Sequence, residues 1–144
     1  MIPVAEALDR VLALIDPMPV ETVPLARACG RVLARPVAAR RSQPPFAASA
    51  MDGYAVRHAD AAPGARLRVV GEAAAGRRFA GEVGAGEAVR IFTGAPMPDG
   101  ADCVLIQEDA EREGEFVIPT EAPAPGAHVR PAGGDFEAGR QLAA

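Results

Sequence analysis

Ala88-Val89-Arg90-Ile91-Phe92-Thr93-Gly94-Ala95-Pro96-Met97-Pro98-Asp99-Gly100-Ala101-Asp102-Cys103-Val104-Leu105-Ile106-Gln107-Glu108 carries the pattern that decides the fold class. Two short apolar runs, 88–93 and 103–108, flank a turn made of Gly94, Pro96, Pro98, Asp99 and Gly100. Runs of this length, punctuated by Gly and Pro, read as strands. Outward from them, 67–70 follows Pro63-Gly64, 116–118 lies between Gly114 and Pro119, and 31–34 stops at Pro36. Short strands at this spacing predict a mainly antiparallel β unit. Long helical periods that could cover a parallel sheet are missing, which argues against a doubly wound fold.

The N-terminus has a different period. Val4, Leu8, Val11, Leu12 and Ile15 recur at i, i+4, i+7, i+8 and i+11, with Pro3 suited to a first turn and Asp16-Pro17 to the end. That apolar stripe could serve either an intramolecular core or a partner subunit, the core being the first reading. A second helical turn is predicted over 24–29, with Gly30 as its left-handed cap. Residues 71–86, low in complexity, read as loops around one weak strand.

Pro/Ala/Gly-rich stretches at 40–45 and 121–126 bracket the β unit and bring both its ends to one neighbourhood. The expected organisation is a host and dimerisation piece, 1–42 plus 125–144, carrying an inserted β domain, 43–124.

Composition excludes several classes. The 144 residues include 32 Ala and no Lys or Asn, all 15 basic residues are Arg, and the net charge is −4. Apolar content is too high for a disordered chain. No basic footprint marks a nucleic-acid binder, and no apolar run approaches a membrane span. Cys29 and Cys103 form neither a disulfide framework nor a metal motif, as expected of reduced thiols in the cytoplasm. Without Lys, Schiff-base and P-loop chemistry are unavailable.

Three polar clusters stand against this background. In Ser49-Ala50-Met51-Asp52-Gly53-Tyr54-Ala55, Asp-Gly is a turn signal, and its carboxylate also suits a hard cation such as Mg²⁺. Thr93-Gly94 at a strand end could turn a hydroxyl and backbone amides toward an anion, or simply open a wide Pro-rich turn. In His128-Val129-Arg130-Pro131-Ala132-Gly133-Gly134-Asp135, Arg130 could fork onto an oxyanion and the glycines could place Asp135, the plain alternative being a flexible linker.

In order and spacing these clusters resemble the N-terminal region (domains I and II) of the molybdopterin molybdenumtransferase family, which includes MoeA and the gephyrin E domain. Leu25-Ala26-Arg27-Ala28-Cys29-Gly30-Arg31-Val32-Leu33-Ala34 and Val104-Leu105-Ile106-Gln107-Glu108 complete the likeness, which covers nearly the whole chain. The resemblance implies an irregular β-barrel or bifurcated-sheet domain set in a small elongated host domain. It implies an enzyme that inserts molybdate into adenylylated molybdopterin and releases AMP with Mg²⁺ assisting, as a homodimer whose cleft is shared between subunits. Carried over residue by residue, Asp52, Thr93 and Asp135 match catalytic positions, Asp52 with a role toward Mg²⁺. Ser49, Gly53, Gly94 and Arg130 match positions that bind the pterin substrate.

This chain departs from the family at Ala47-Ala48, where polar residues are usual, at His128 in place of Asn, and at Gly134 in place of an acidic residue. Of an Arg-rich run only Arg130 remains. The family's nucleotide-binding domain, with its Gly-Gly-x-Ser-x-Gly loop, would begin just after Ala144. The expectation is therefore the N-terminal half of the enzyme, inactive alone. The competing expectation is a non-catalytic truncated relative that serves as a dimerisation module or binds other molybdenum cofactor synthesis proteins.

Overall fold

The computed structural model describes residues 2–143, which fall into two compact units, Met1–Val37 with Leu142–Ala144, and Ala38–Gln141. In the first unit, helix α1 spans Val4–Leu12. The extended backbone of Pro3 starts it, the Ala7 amide donates to the Pro3 carbonyl at 3.0 Å, and Arg10 pairs with Glu6 one turn away at 2.6 Å. The helix stops earlier than its stripe. The Leu14 and Ile15 amides donate to Val11 and Leu12, three residues back, so the last turn tightens and Ile15 leaves the α-helical face.

The stripe itself is not a core face. Val4, Leu8, Val11 and Leu12 are each more than half exposed, and no residue of α1 is buried. The predicted second turn is a 3₁₀ turn over Leu25–Arg27, followed by Gly30 at φ +78°. Residues 31–34 do not form the predicted strand. They have the apolar side chains of one but no ladder partner among the described residues, and Val32 is 90% exposed.

The second unit bears out the mainly β expectation. The strands of the described residues, in chain order, are β1 (Val37–Ala38), β2 (Ala48–Ser49), β3 (Gly53–Val56), β4 (Leu67–Ala73), β5 (Glu87–Ile91), β6 (Cys103–Ile106), β7 (Ala110–Glu113), β8 (Phe116–Pro119), β9 (Val129–Arg130) and β10 (Gln141–Leu142), and β2 to β9 lie wholly within this unit. Six of them form one sheet in the order β6-β3-β5-β4-β8-β7. All its neighbours are antiparallel except β4 and β5, which run parallel with a register break between Val69 and Gly71. β2 pairs with β9 in a separate two-stranded ladder.

The sheet is covered on both faces. Val56, Leu67, Ala88, Cys103, Leu105 and Val117 pack with Tyr54 in one cluster, and Ala55, Ala73, Val83, Val89, Ile91, Ala95 and Val104 in another. β3 feeds both, because alternate side chains leave opposite faces of a strand. Each large side chain so buried stabilises the fold by about 1.5–3 kcal/mol. β4 runs on to Ala73, and the turn after it is closed by reciprocal backbone bonds between Ala74 and Arg77 at 2.9 Å, so the low-complexity stretch is better ordered than its composition predicts. Among the described residues no helix is long and apolar enough to cross a membrane.

Candidate functional site

Antiparallel pairing of β3 with β5 sets Gly53 opposite Ile91. Asp52 lies one residue before that pair and Thr93 two residues after it, so the register itself brings them together. Asp52 Oδ1 accepts both donors of Thr93, the amide at 2.8 Å and the hydroxyl at 2.7 Å. The amide bond foremost, then the hydroxyl, hold the Asp52 carboxyl below the usual carboxylate range against an opposing effect of burial, with the nearby Arg90 guanidinium adding the smallest contribution. Both Thr93 donors thus point at a carboxylate of the chain.

Ser49 is buried, 1% exposed, and locally satisfied: its hydroxyl donates to the Met51 carbonyl at 2.6 Å and accepts from the Met51 amide at 3.3 Å. Its carbonyl accepts from the Gly94 amide at 2.9 Å, and its amide donates to Ala95 at 2.9 Å. Gly94 takes φ +81°, which lets the chain turn back onto Ser49. Gly53 is required for a different reason. A Cβ there would stand 2.1 Å from the Leu105 carbonyl oxygen, so only glycine lets β3 approach β6 this closely.

Arg130 lies opposite Ala48 in the β2–β9 ladder, and the Ala50 amide donates to the His128 carbonyl at 2.8 Å. Residues 48–52 are therefore bracketed by 93–95 on one side and by 128–130 on the other. Arg130 Nη2 reaches both Asp135 oxygens, at 2.8 and 3.0 Å, and Arg140 Nη1 donates to the Asp135 carbonyl at 3.0 Å. No hydrogen bond or ion pair joins the Arg130–Asp135 pair to the Asp52–Thr93 pair among the described residues. A cavity of about 460 Å³ opens beside the Ala47 departure, lined by Phe46, Ala47, Gly76, Arg78, Pro96, Met97 and Asp99. None of the expected site residues lines it.

Arg90 escaped the sequence reading, whereas its partner Gln107 stood in a string that matches the family. Arg90 donates to the Gly53 carbonyl and to the Gln107 side chain, and the Gln107 amide donates to the Asp52 carbonyl at 3.2 Å. The available signal was a lone cation inside an otherwise apolar run, two residues before an aromatic.

The family model of the MoeA N-terminal region (domain I and II) matches residues 2–144. The chain belongs to that family. It is 42% identical over 127 residues to the molybdopterin molybdenumtransferase of a Nostoc species, covering 85% of this chain and 29% of that protein. It is 37% identical over 126 residues to the enzyme of the same name from Haemophilus influenzae, covering 85% and 31%. The crystal structure of the molybdopterin biosynthesis MoeA protein from Pyrococcus horikoshii OT3 superposes with a TM-score of 0.86 at 36% identity, covering 99% of this chain and 39% of that one. The chain thus spans about three-tenths of the curated relatives it matches. As a MoeA N-terminal region it has the β-rich architecture its motifs implied, and the Asp-Gly and Thr-Gly strings are in contact.

Proposed function

We propose that this chain is the N-terminal part of a molybdopterin molybdenumtransferase. The whole enzyme inserts molybdate into adenylylated molybdopterin and releases AMP, and this part alone is inactive because its cleft is completed by a nucleotide-binding domain. The observation that carries the reading is the Asp52–Thr93 contact, which joins two motif strings in a chain whose relatives bear that enzyme's name.

The substrates are anionic, so a carboxylate meets them only through a cation or a proton. Among the described residues Oδ2 of Asp52 has no hydrogen-bond partner, while Oδ1 is fixed by Thr93. Among the described residues no three His, Cys, Asp or Glu side chains gather as a metal cage. One free carboxylate oxygen fits Mg²⁺ in its common mode, shared between a carboxylate, substrate phosphate and water. When bound, Mg²⁺ neutralises phosphate charge. Thr93 orients Asp52, and Ser49, Gly53 and Gly94 shape the backbone around it. Arg130 reaches an anion by exchanging Asp135, which then keeps the guanidinium aligned between turnovers.

The enzyme is proposed to be a cytoplasmic homodimer with its cleft shared between subunits, supported by the exposed apolar side of α1 and by two unpaired cysteines. An inserted arrangement, a host of 1–42 plus 125–144 around 43–124, is part of this proposal, although the compact units set their junctions at Val37/Ala38 and Gln141/Leu142. A second reading, a truncated relative that serves as a dimerisation or interaction module, is favoured by Ala47-Ala48, Gly134 and the same α1 face.

The test combines the chain with the nucleotide-binding domain of the Nostoc relative and follows molybdate-dependent AMP release from adenylylated molybdopterin. Release by the pair but by neither part alone is expected. A folded, associated pair without release overturns the enzymatic reading in favour of the module.

A further inference from the structure

We propose that Arg90 is a positioning residue for the Asp52 carboxylate, its guanidinium tying the Asp52–Gly53 backbone and Gln107 into one rigid frame. The inference rests on the functional reading of Asp52 above and extends it to a side chain that no family motif brought forward.

Arg90 sits on β5 directly opposite Tyr54 of β3. Its guanidinium lies over two rings, with its carbon 5.1 Å from the Tyr54 centroid and 4.7 Å from that of Phe92. A planar cation so placed is held by the ring quadrupoles and loses rotational freedom. The fork then makes two directed bonds, Nη1 to the Gly53 carbonyl at 3.0 Å and Nη2 to Gln107 Oε1 at 2.9 Å. The Gln107 amide donates in turn to the Asp52 carbonyl. Both backbone carbonyls that follow the Asp52 and Gly53 Cα atoms are therefore pinned by one two-residue network, which steadies the backbone from which Asp52 sends Oδ1 to Thr93.

The charge is unspent. Among the described residues Arg90 has no carboxylate within ion-pair distance, and its register partner on β4, Glu72, pairs with Arg77 instead. Arg130, by contrast, is neutralised by Asp135. The positive field at Asp52 comes from a residue fixed beneath it, one that does not have to leave a partner to act. With two of its donors and both ring contacts committed, Arg90 supports the site by holding the backbone around Asp52 in place.

The test uses three substitutions. Arg90→Met keeps the stem over the rings and removes charge and fork; Arg90→Lys keeps the charge alone; Gln107→Leu removes one arm of the frame. Two measurements are made. In the 144-residue chain, protection of the Thr93 amide against hydrogen exchange is compared with that of Val89 in the sheet core. In the full-length enzyme of which this chain forms the N-terminal part, kcat and KM are taken from molybdate-dependent AMP release. Arg90→Met and Arg90→Lys are expected to cut Thr93 protection about tenfold, the effect of loosening one charge-assisted bond, with Val89 unchanged. They should lower kcat by a similar factor at constant KM, with Gln107→Leu intermediate. Full retention by Arg90→Lys overturns the proposal in favour of charge alone, and an equal loss at Val89 overturns it in favour of general folding. Unchanged kcat beside lost protection overturns it as well. An inactive wild-type enzyme overturns the functional reading, and the exchange measurement then still reads the Arg90 frame on its own.

Discussion

Asp52 and Thr93 stand 41 positions apart, yet a single carboxylate oxygen of the first takes both the amide and the hydroxyl of the second. The β3–β5 register produces this contact, since it fixes Gly53 against Ile91 and so carries Asp52 and Thr93 to the same end of the ladder. Asp52 is of intermediate exposure, its carboxylate is doubly bonded on one oxygen, and the other oxygen has no hydrogen-bond partner among the described residues. On the function proposed above, such a carboxylate would be pre-set before substrate arrives, as preorganised charges in catalytic sites are.

The first prediction concerns pH. Because the Asp52 carboxyl titrates below its ordinary value in the folded state, its contribution to stability is complete above the unfolded value, about 4, and is lost as pH falls through the lowered one. Thr93→Val removes the hydroxyl and keeps the amide. Carboxyl ¹³C titration of the variant should show the Asp52 midpoint rising part of the way back, and full reversal should follow only when the turn is opened. An unmoved midpoint would show that the hydroxyl contributes nothing to holding the charge.

Substitution in the enzyme gives the second. Asp52→Asn keeps the shape and one acceptor for Thr93 but removes the charge that a divalent cation needs. Mg²⁺-dependent AMP release should fall by about 10²-fold or more, the scale of losing a group that stabilises developing charge. The circular dichroism of the variant should match wild type, and its melting should fall only by the modest contribution of the charged carboxyl. Activity equal to wild type at all Mg²⁺ concentrations would remove Asp52 from the site.

Gly53→Ala tests the packing under the site. The added Cβ would meet the Leu105 oxygen at 2.1 Å and Leu105 and Ile106 backbone atoms at 2.9 Å, none of which can rotate aside. The β3–β6 ladder must separate, so urea unfolding should show a loss of about 3 kcal/mol or more, the upper end of overpacking costs. A loss below about 1 kcal/mol would mean that the ladder accommodates the methyl by sliding, and that glycine is not needed there.

The α1 face gives a prediction about association. Leu8 and Leu12 are 56% and 58% exposed, so changing both to Glu removes little that the described chain buries. Stability of the isolated chain should shift by less than about 0.5 kcal/mol per site, as for ordinary surface positions. Sedimentation should show the wild-type chain self-associating and the double variant monomeric. Equal sedimentation of the two would place the dimer contact elsewhere.

Legibility followed the range of the forces involved. β4, β5, β6 and β8 announce themselves through local runs between turn residues. β3 does not, because Asp52-Gly53 imitates a hairpin turn and Ala55 is a weak strand former, yet it occupies the position between β5 and β6 through pairings up to about fifty residues away in sequence. β7 is hidden by Glu111, Arg112 and Glu113, which suit an exposed edge. Residues 31–34 show the reverse error, apolar but unpaired. Asp52 and Thr93 were each visible in a motif, whereas their contact belongs to the sheet register. The same holds for Arg90, whose neighbours Tyr54, Phe92 and Gln107 sit on three different stretches of chain.

The last prediction turns on His128, the one non-glycine residue at positive φ among the described residues, at +58°. The left-handed region costs an ordinary L-residue about 1–2 kcal/mol, and Asn relieves part of that by local hydrogen bonding. The His128 side chain is exposed and makes no hydrogen bond, so its backbone carries the argument: its carbonyl receives the Ala50 amide at 2.8 Å and so anchors the segment leading to Asp52. His128→Asn should therefore raise stability by roughly 0.5 kcal/mol, seen as a higher urea midpoint at unchanged slope. His128→Val should lower it by about 1–3 kcal/mol, since a β-branched residue is a true outlier at this φ. The Ala50 amide should lose exchange protection in the Val variant and keep it in the Asn variant. If Val and Asn behave alike, the strain is not at His128, and the bracket around residues 48–52 is held by the β2–β9 ladder alone.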